Sequence, residues 1–102
     1  MTDVFAALGD PTRRTVYERL AAGSATATQL AAGLPVTRQA VAKHLAVLED
    51  AGLVRAERAG RERRFSPTPA PLGDAISWMA SVGGEWDDRL AALERYVTRR
   101  AR

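Results

Sequence analysis

TATQLAAGLPVTRQAVAKHLAVLEDAGLV, residues 26 to 54, reads as two short helices joined by a tight turn. Thr26 and Gln29 have the spacing of a capping box, in which a hydroxyl and an amide each satisfy one free backbone N–H. Ala27, Leu30, Ala31 and Leu34 form the apolar side of the first of these helices. Gly33 and Pro35 punctuate the turn. Thr37 is a good N-cap for the second helix. Val41, Leu45 and Leu48 fall at i, i+4 and i+7, so they face a core. Gly52 closes that helix.

Upstream, Val4, Phe5 and Leu8 make a one-sided apolar cluster and predict a short first helix. Gly9-Asp10-Pro11 stops it. Asp10 can cap the next helix, and Pro11 suits its first position. Val16, Tyr17 and Leu20 continue it to about Ala22, and Gly23 ends it. Downstream, Leu53 to Arg58 and Arg63 to Pro67 read as two strands. Gly60 lies between them, with Arg61 and Glu62 beside it, so a tight hairpin is expected. Pro67, Pro69 and Pro71 break that pattern and begin the last segment.

In the last segment Leu72, Ile76, Met79, Trp86, Leu90, Leu93 and Val97 follow alternating three- and four-residue steps, with one step on Gly83. That is one apolar seam about four heptads long. It must pack either on its own domain or on a partner copy. The earlier elements already account for one small core, which favours a partner. Gly83-Gly84 should weaken this helix by about 1 kcal/mol per glycine. Close approach of a second helix, or a kink, would give the pair a reason to be there.

A chain of 102 residues suggests one domain over 1-102, with its terminal helix over about 71-100. The absence of cysteine excludes disulfides and thiolate metal sites. His44 is the one histidine. No apolar run is long enough to span a membrane. The N-terminal stretch MTDVFAALGDP lacks the pattern of a secretory signal. The expectation is a cytoplasmic protein that does not contact a membrane. The net charge is only +3, so the distribution of charge matters more than its total. Residues 55 to 64 hold five Arg and two Glu, and the tail from Arg95 to Arg102 holds four Arg. That tail reads equally well as a solvated face.

On the second helix of the opening stretch, Arg38, Gln39, Ala42, Lys43 and Ala46 lie away from the apolar side. Arg and Lys can reach guanine or phosphate, and Gln can pair with adenine. Thr37 and the helix N-terminus can hold a phosphate. The small Ala42 lets the backbone approach bases closely. His44 is either a packed residue at the edge of the pair or a phosphate or base contact. A lone His without Cys or an acidic cluster does not make a metal site. In the hairpin, Arg58, Arg61, Arg63 and Arg64 can sit over phosphates or enter a minor groove, with Arg61 at the tip. The chain carries no GxSxG elbow, P-loop or GxGxxG. The expectation is a protein that is not an enzyme and carries no cofactor.

FAALGDPTRRTVYERL, TRQAVAKHLAVLEDAGLV and RAGRERRF together resemble the ArsR-type winged-helix repressors, over nearly the whole chain. The resemblance implies a homodimer that binds double-stranded DNA at an imperfect palindromic operator. It implies that Thr37, Arg38, Gln39, Ala42, Lys43 and His44 lie at the DNA-facing surface. Members pair through their first and last helices. Here that implies an interface of Val4, Phe5 and Leu8 with Leu72, Ile76, Met79, Gly83, Trp86, Leu90, Leu93 and Val97. Metal-sensing members carry Cys pairs in the third helix or Asp, His and Glu sets in the last. This chain reads TATQLAAGL in the third helix, and its last helix has no His or Cys. The terminal segment EWDDRLAALERYV is similar to a metal-independent branch.

The expected fold is therefore mainly α with a small β-hairpin, a winged helix-turn-helix in the order α-α-α-α-β-β-α. The expected function is a homodimeric, sequence-specific DNA-binding repressor without a metal. The alternatives are a winged-helix module that binds protein, and a repressor that responds to a small organic or oxyanion ligand.

Overall fold

The structure, a computed structural model, describes residues 3–100. Met1 and Thr2 of the N-terminal stretch, and Arg102 of the basic tail, lie outside the described residues. The chain separates into two units, Met1–Leu72 and Gly73–Arg102.

In the first unit, α1 (Val4–Ala7) leads into α2 (Pro11–Ala21). Asp10 caps α2, its carboxylate accepting the backbone N–H of Arg13 at 3.0 Å, and Pro11 occupies the first turn. That N–H holds the Asp10 carboxyl below the ordinary carboxylate range. A lowered carboxyl contributes stability above its unfolded value, and the contribution fades as pH falls through the folded one. The arginines of α2 satisfy orphan carbonyls, as cations near helix C-termini do. Arg13 donates to the Ala7 and Ala6 oxygens, and Arg14 donates to the Leu8 oxygen at 2.7 Å. Arg19 reaches the Gly33 oxygen at 3.1 Å. The TRR run thus ties α1 to α2 and does not form a free basic patch.

Next come β1 (Ala25–Thr26), α3 (Ala27–Ala32) and α4 (Arg38–Asp50). The capping box is complete: Gln29 N–H donates to the Thr26 hydroxyl at 3.2 Å, and Thr26 N–H donates to the Gln29 amide oxygen at 3.0 Å. Val41, Leu45 and Leu48 are each 0% exposed and make α4 the centre of the core. Val16 and Leu20 of α2, Leu30 of α3, and Leu53, Val54 and Phe65 pack around them. Each such side chain contributes about 1.5–3 kcal/mol relative to remaining in water.

The end of α4 is a Schellman motif. Gly52 N–H donates to the Glu49 oxygen at 3.0 Å, and Leu53 N–H donates to the Leu48 oxygen at 2.9 Å. Gly52 has φ +76°, where a Cβ is strained. Gly52→Ala should therefore lower stability by about 1–2 kcal/mol. Denaturant melts check this, and an unchanged midpoint would mean that the turn relaxes.

β2 (Val54–Ala59) and β3 (Glu62–Pro67) form the hairpin. Its loop is Gly60-Arg61, between the paired Ala59 and Glu62. Gly60 has φ +64°, and no other residue of the loop has positive φ. Glycine at the first loop position is the pattern of a type II′ turn. The sheet corrects the expected order of elements. It has three strands, β1-β3-β2, because Ala25 pairs with Phe65 and Thr26 with Arg64. Two residues are too few to leave a periodic signal, and their partners are far along the chain.

α5 (Ala70–Arg100) is a single helix of 31 residues. Its first residues belong to the first unit, where Leu72 packs against the core. The remainder forms the second unit. A Cβ built at Gly83 or Gly84 meets nothing within 4 Å.

Candidate nucleic-acid interface

α4 presents two kinds of surface, fixed by its 3.6-residue turn. One row is buried. Arg38, Gln39, Ala42 and Lys43 are exposed, with Gln39 and Lys43 one turn apart on the same row. The Thr37 hydroxyl accepts the backbone N–H of Ala40 at 3.1 Å, so it holds the first turn of α4 in place.

Beside the Arg38 edge runs a groove. Arg38, Ala42, Ala46 and Glu49 of α4 form one wall. The hairpin supplies the other through Ala56, Arg58, Arg61, Arg63 and Phe65, and Thr26, Ala27 and Thr28 close one end. The alanines of α4 keep this wall low. The groove carries four arginines (38, 58, 61 and 63) against three glutamates (49, 57 and 62), so its excess positive charge is small.

The expected residues are distributed unequally. Arg38, Ala42, Arg58, Arg61 and Arg63 come together in the groove. Gln39 and Lys43 lie on the adjoining exposed face. Arg64 does not line the groove; its Nη1 donates to the Ser24 backbone oxygen at 3.0 Å and lies 3.4 Å from the Ser24 hydroxyl. His44 is half-buried on the other flank of α4, near Asp10, and its charge is a minor contributor to lowering that carboxyl.

Glu49 is the residue that sequence reasoning passed over. Its carboxylate receives Arg63 Nη2 at 3.3 and 3.5 Å. The two residues stand 14 positions apart on different elements, so no local spacing announces the pair. The Arg63 guanidinium also lies 5.4 Å from the centroid of the Phe65 ring.

The apolar residues expected at an interface divide as well. Phe5, Ile76, Met79, Trp86, Leu90, Leu93 and Val97 are between 47% and 59% exposed. Val4, Leu8 and Leu72 instead pack in part against the core of their own unit. Among the described residues no helix is long and apolar enough to cross a membrane.

A helix pair with an exposed second helix, flanked by a basic antiparallel hairpin, defines a winged helix-turn-helix protein. Residues 8–57 match the family described as a helix-turn-helix domain. The transcriptional repressor SdpR of Bacillus subtilis is 31% identical over 90 residues, which cover 88% of this chain and 100% of that protein. An ArsR-like transcriptional regulator from Rhodococcus sp. RHA1 is 43% identical, with a TM-score of 0.80 over 90% of this chain and 87% of its own. The chain belongs to the ArsR family of transcriptional regulators, and is not an enzyme. A homodimeric winged helix-turn-helix DNA-binding domain from Mycobacterium bovis shares the fold, with a TM-score of 0.61 and 22% identity over 78% of this chain and 73% of its own.

Proposed function

We propose that this chain is a homodimeric, sequence-specific DNA-binding repressor that does not respond to a metal. One arrangement carries this reading: the exposed Gln39 and Lys43 row of α4 beside a groove lined by Arg38, Arg58 and Arg61. A helix fits the major groove of DNA, where Arg, Lys and Gln match the edges of guanine and adenine. The hairpin cations then meet the adjacent backbone or minor groove. In this reading Thr37 sets the helix start against a phosphate, and Ala42 lets the helix come close. Acting on DNA makes the protein cytoplasmic.

The half-exposed α5 seam supports self-association, since a contiguous apolar face on a small domain is costly to leave in water. The fold neighbour from Mycobacterium bovis is itself homodimeric. A two-fold dimer implies a palindromic operator with half-sites about 34–36 Å apart. Footprinting on the DNA upstream of the protein's own gene, across a salt series, tests the reading. A protected imperfect palindrome with steep salt dependence is expected. No protection and a flat salt response would favour a protein-binding module instead.

The donor set supports independence from metals. The chain has no Cys and one His. Among the described residues no group of three or more His, Cys, Asp or Glu could hold an ion. Stoichiometric zinc, cadmium or arsenite should therefore leave operator binding unchanged in a gel-shift assay. Release by one of them, reversed by a chelator, would overturn this part of the reading.

A further inference from the structure

The hairpin arginines do not share one environment. Arg58 and Arg63 stand opposite each other in the β2–β3 ladder. Directly opposed residues project to the same face, and like charges there repel. The Glu49 carboxylate, 3.3 Å from Arg63 Nη2, supplies the missing counter-charge. Phe65, two residues along and on the same face, places its ring beneath the same guanidinium at 5.4 Å. Arg64 projects to the other face of β3 and is held at Ser24, 40 residues away in sequence. Arg58 and Arg61 are exposed, and neither has a partner among the described residues.

We infer that these arginines divide into two roles: Arg63 and Arg64 are positioning residues that fix the hairpin, while Arg58 and Arg61 are the cations that meet a polyanion. This rests on the DNA reading above and sharpens it. Arg63, held by Glu49, sets the distance between the hairpin and α4, and so the width of the groove. Arg64 secures β3 to the loop before β1 on the opposite side. Exposed ion pairs of this kind are weak, and the Arg63 and Glu49 side chains are 64% and 40% exposed. Glu49 therefore acts by directing Arg63 and adds little to stability. Once Glu49 loses its charge, Arg63 becomes a third free cation beside the duplex.

The test is the salt dependence of binding to a random-sequence duplex, followed by fluorescence anisotropy. The slope of log affinity against log salt counts phosphates neutralised and needs no knowledge of the operator. Arg58→Gln and Arg61→Gln should each lower the slope by about one per protomer. Arg63→Gln and Arg64→Gln should weaken binding and leave the slope unchanged. Glu49→Gln should raise the slope by about one, and adding Arg63→Gln to it should remove that rise. The division is overturned if Arg63→Gln or Arg64→Gln lowers the slope by about one in the parent background. It is also overturned if Glu49→Gln does not move the slope. If Arg64→Gln does not fold, as judged by circular dichroism, Arg64→Lys replaces it. That variant keeps the charge, so it should bind less well at an unchanged slope; parent-like affinity would refute the positioning role. A parent protein with no salt-dependent binding would instead sink the DNA reading itself, and the two failures are distinct.

Discussion

Trp86→Ala combined with Leu90→Ala should convert the proposed dimer into monomers and abolish operator binding, although neither residue belongs to the proposed DNA-facing surface. Trp86 and Leu90 are 58% and 57% exposed, so they lie outside the core of the first unit. They stand one turn apart on the α5 seam, and the Trp86 ring also carries Arg89 at 5.8 Å. Large apolar anchors at the centre of an interface are each worth about 2 kcal/mol or more. Together that is about 4 kcal/mol, or roughly a thousandfold in the dimer dissociation constant. In the proposed dimer two recognition helices are presented together to a palindromic operator, so affinity should fall with the dimer. Sedimentation at micromolar concentration reads the first effect, and footprinting reads the second. The thermal transition of the helix-turn-helix unit should survive, because Val41, Leu45 and Leu48 are untouched. A variant that remains dimeric and protects the operator would remove the seam from the interface.

Arg38→Ala and Gln39→Ala should each weaken binding to the specific site by about 1–3 kcal/mol, or roughly fivefold to 150-fold. Both side chains are exposed at the start of α4, and surface substitutions of this kind change stability by no more than about 0.5 kcal/mol. A loss of affinity would therefore report contact rather than unfolding. The two should differ on non-specific DNA. Arg38 lines the charged groove, so its loss should also weaken non-specific binding. Gln39 carries no charge and should affect only the specific site. If both variants footprint like the parent, α4 is not the helix that reads the bases.

The helices were legible in the sequence because their signals are local. Thr26 with Gln29, Thr37 with Ala40, and Asp10 with Arg13 each bond across three residues. A capping box or an N-cap can thus be read in a window of four residues. The core side of α4 follows from the helical period alone, since Val41, Leu45 and Leu48 must share a face. Gly52 and Gly60 announce positive φ because other residues avoid it. The α5 seam is legible for the same reason as the core of α4.

What lay beyond the sequence depends on partners brought from far along the chain. β1 exists only because Ala25 and Thr26 pair with Phe65 and Arg64. The arginines all look alike in sequence, as basic residues near a hairpin or a helix. Their partners separate them: carbonyls at helix ends for Arg13, Arg14 and Arg19, Glu49 for Arg63, and Ser24 for Arg64. A guanidinium at the end of a long flexible side chain takes the acceptor that the fold brings within reach. Local sequence therefore determined where helices begin, end and turn inward. The tertiary structure alone decided which cations remain free, because that choice depends on acceptors supplied by other elements.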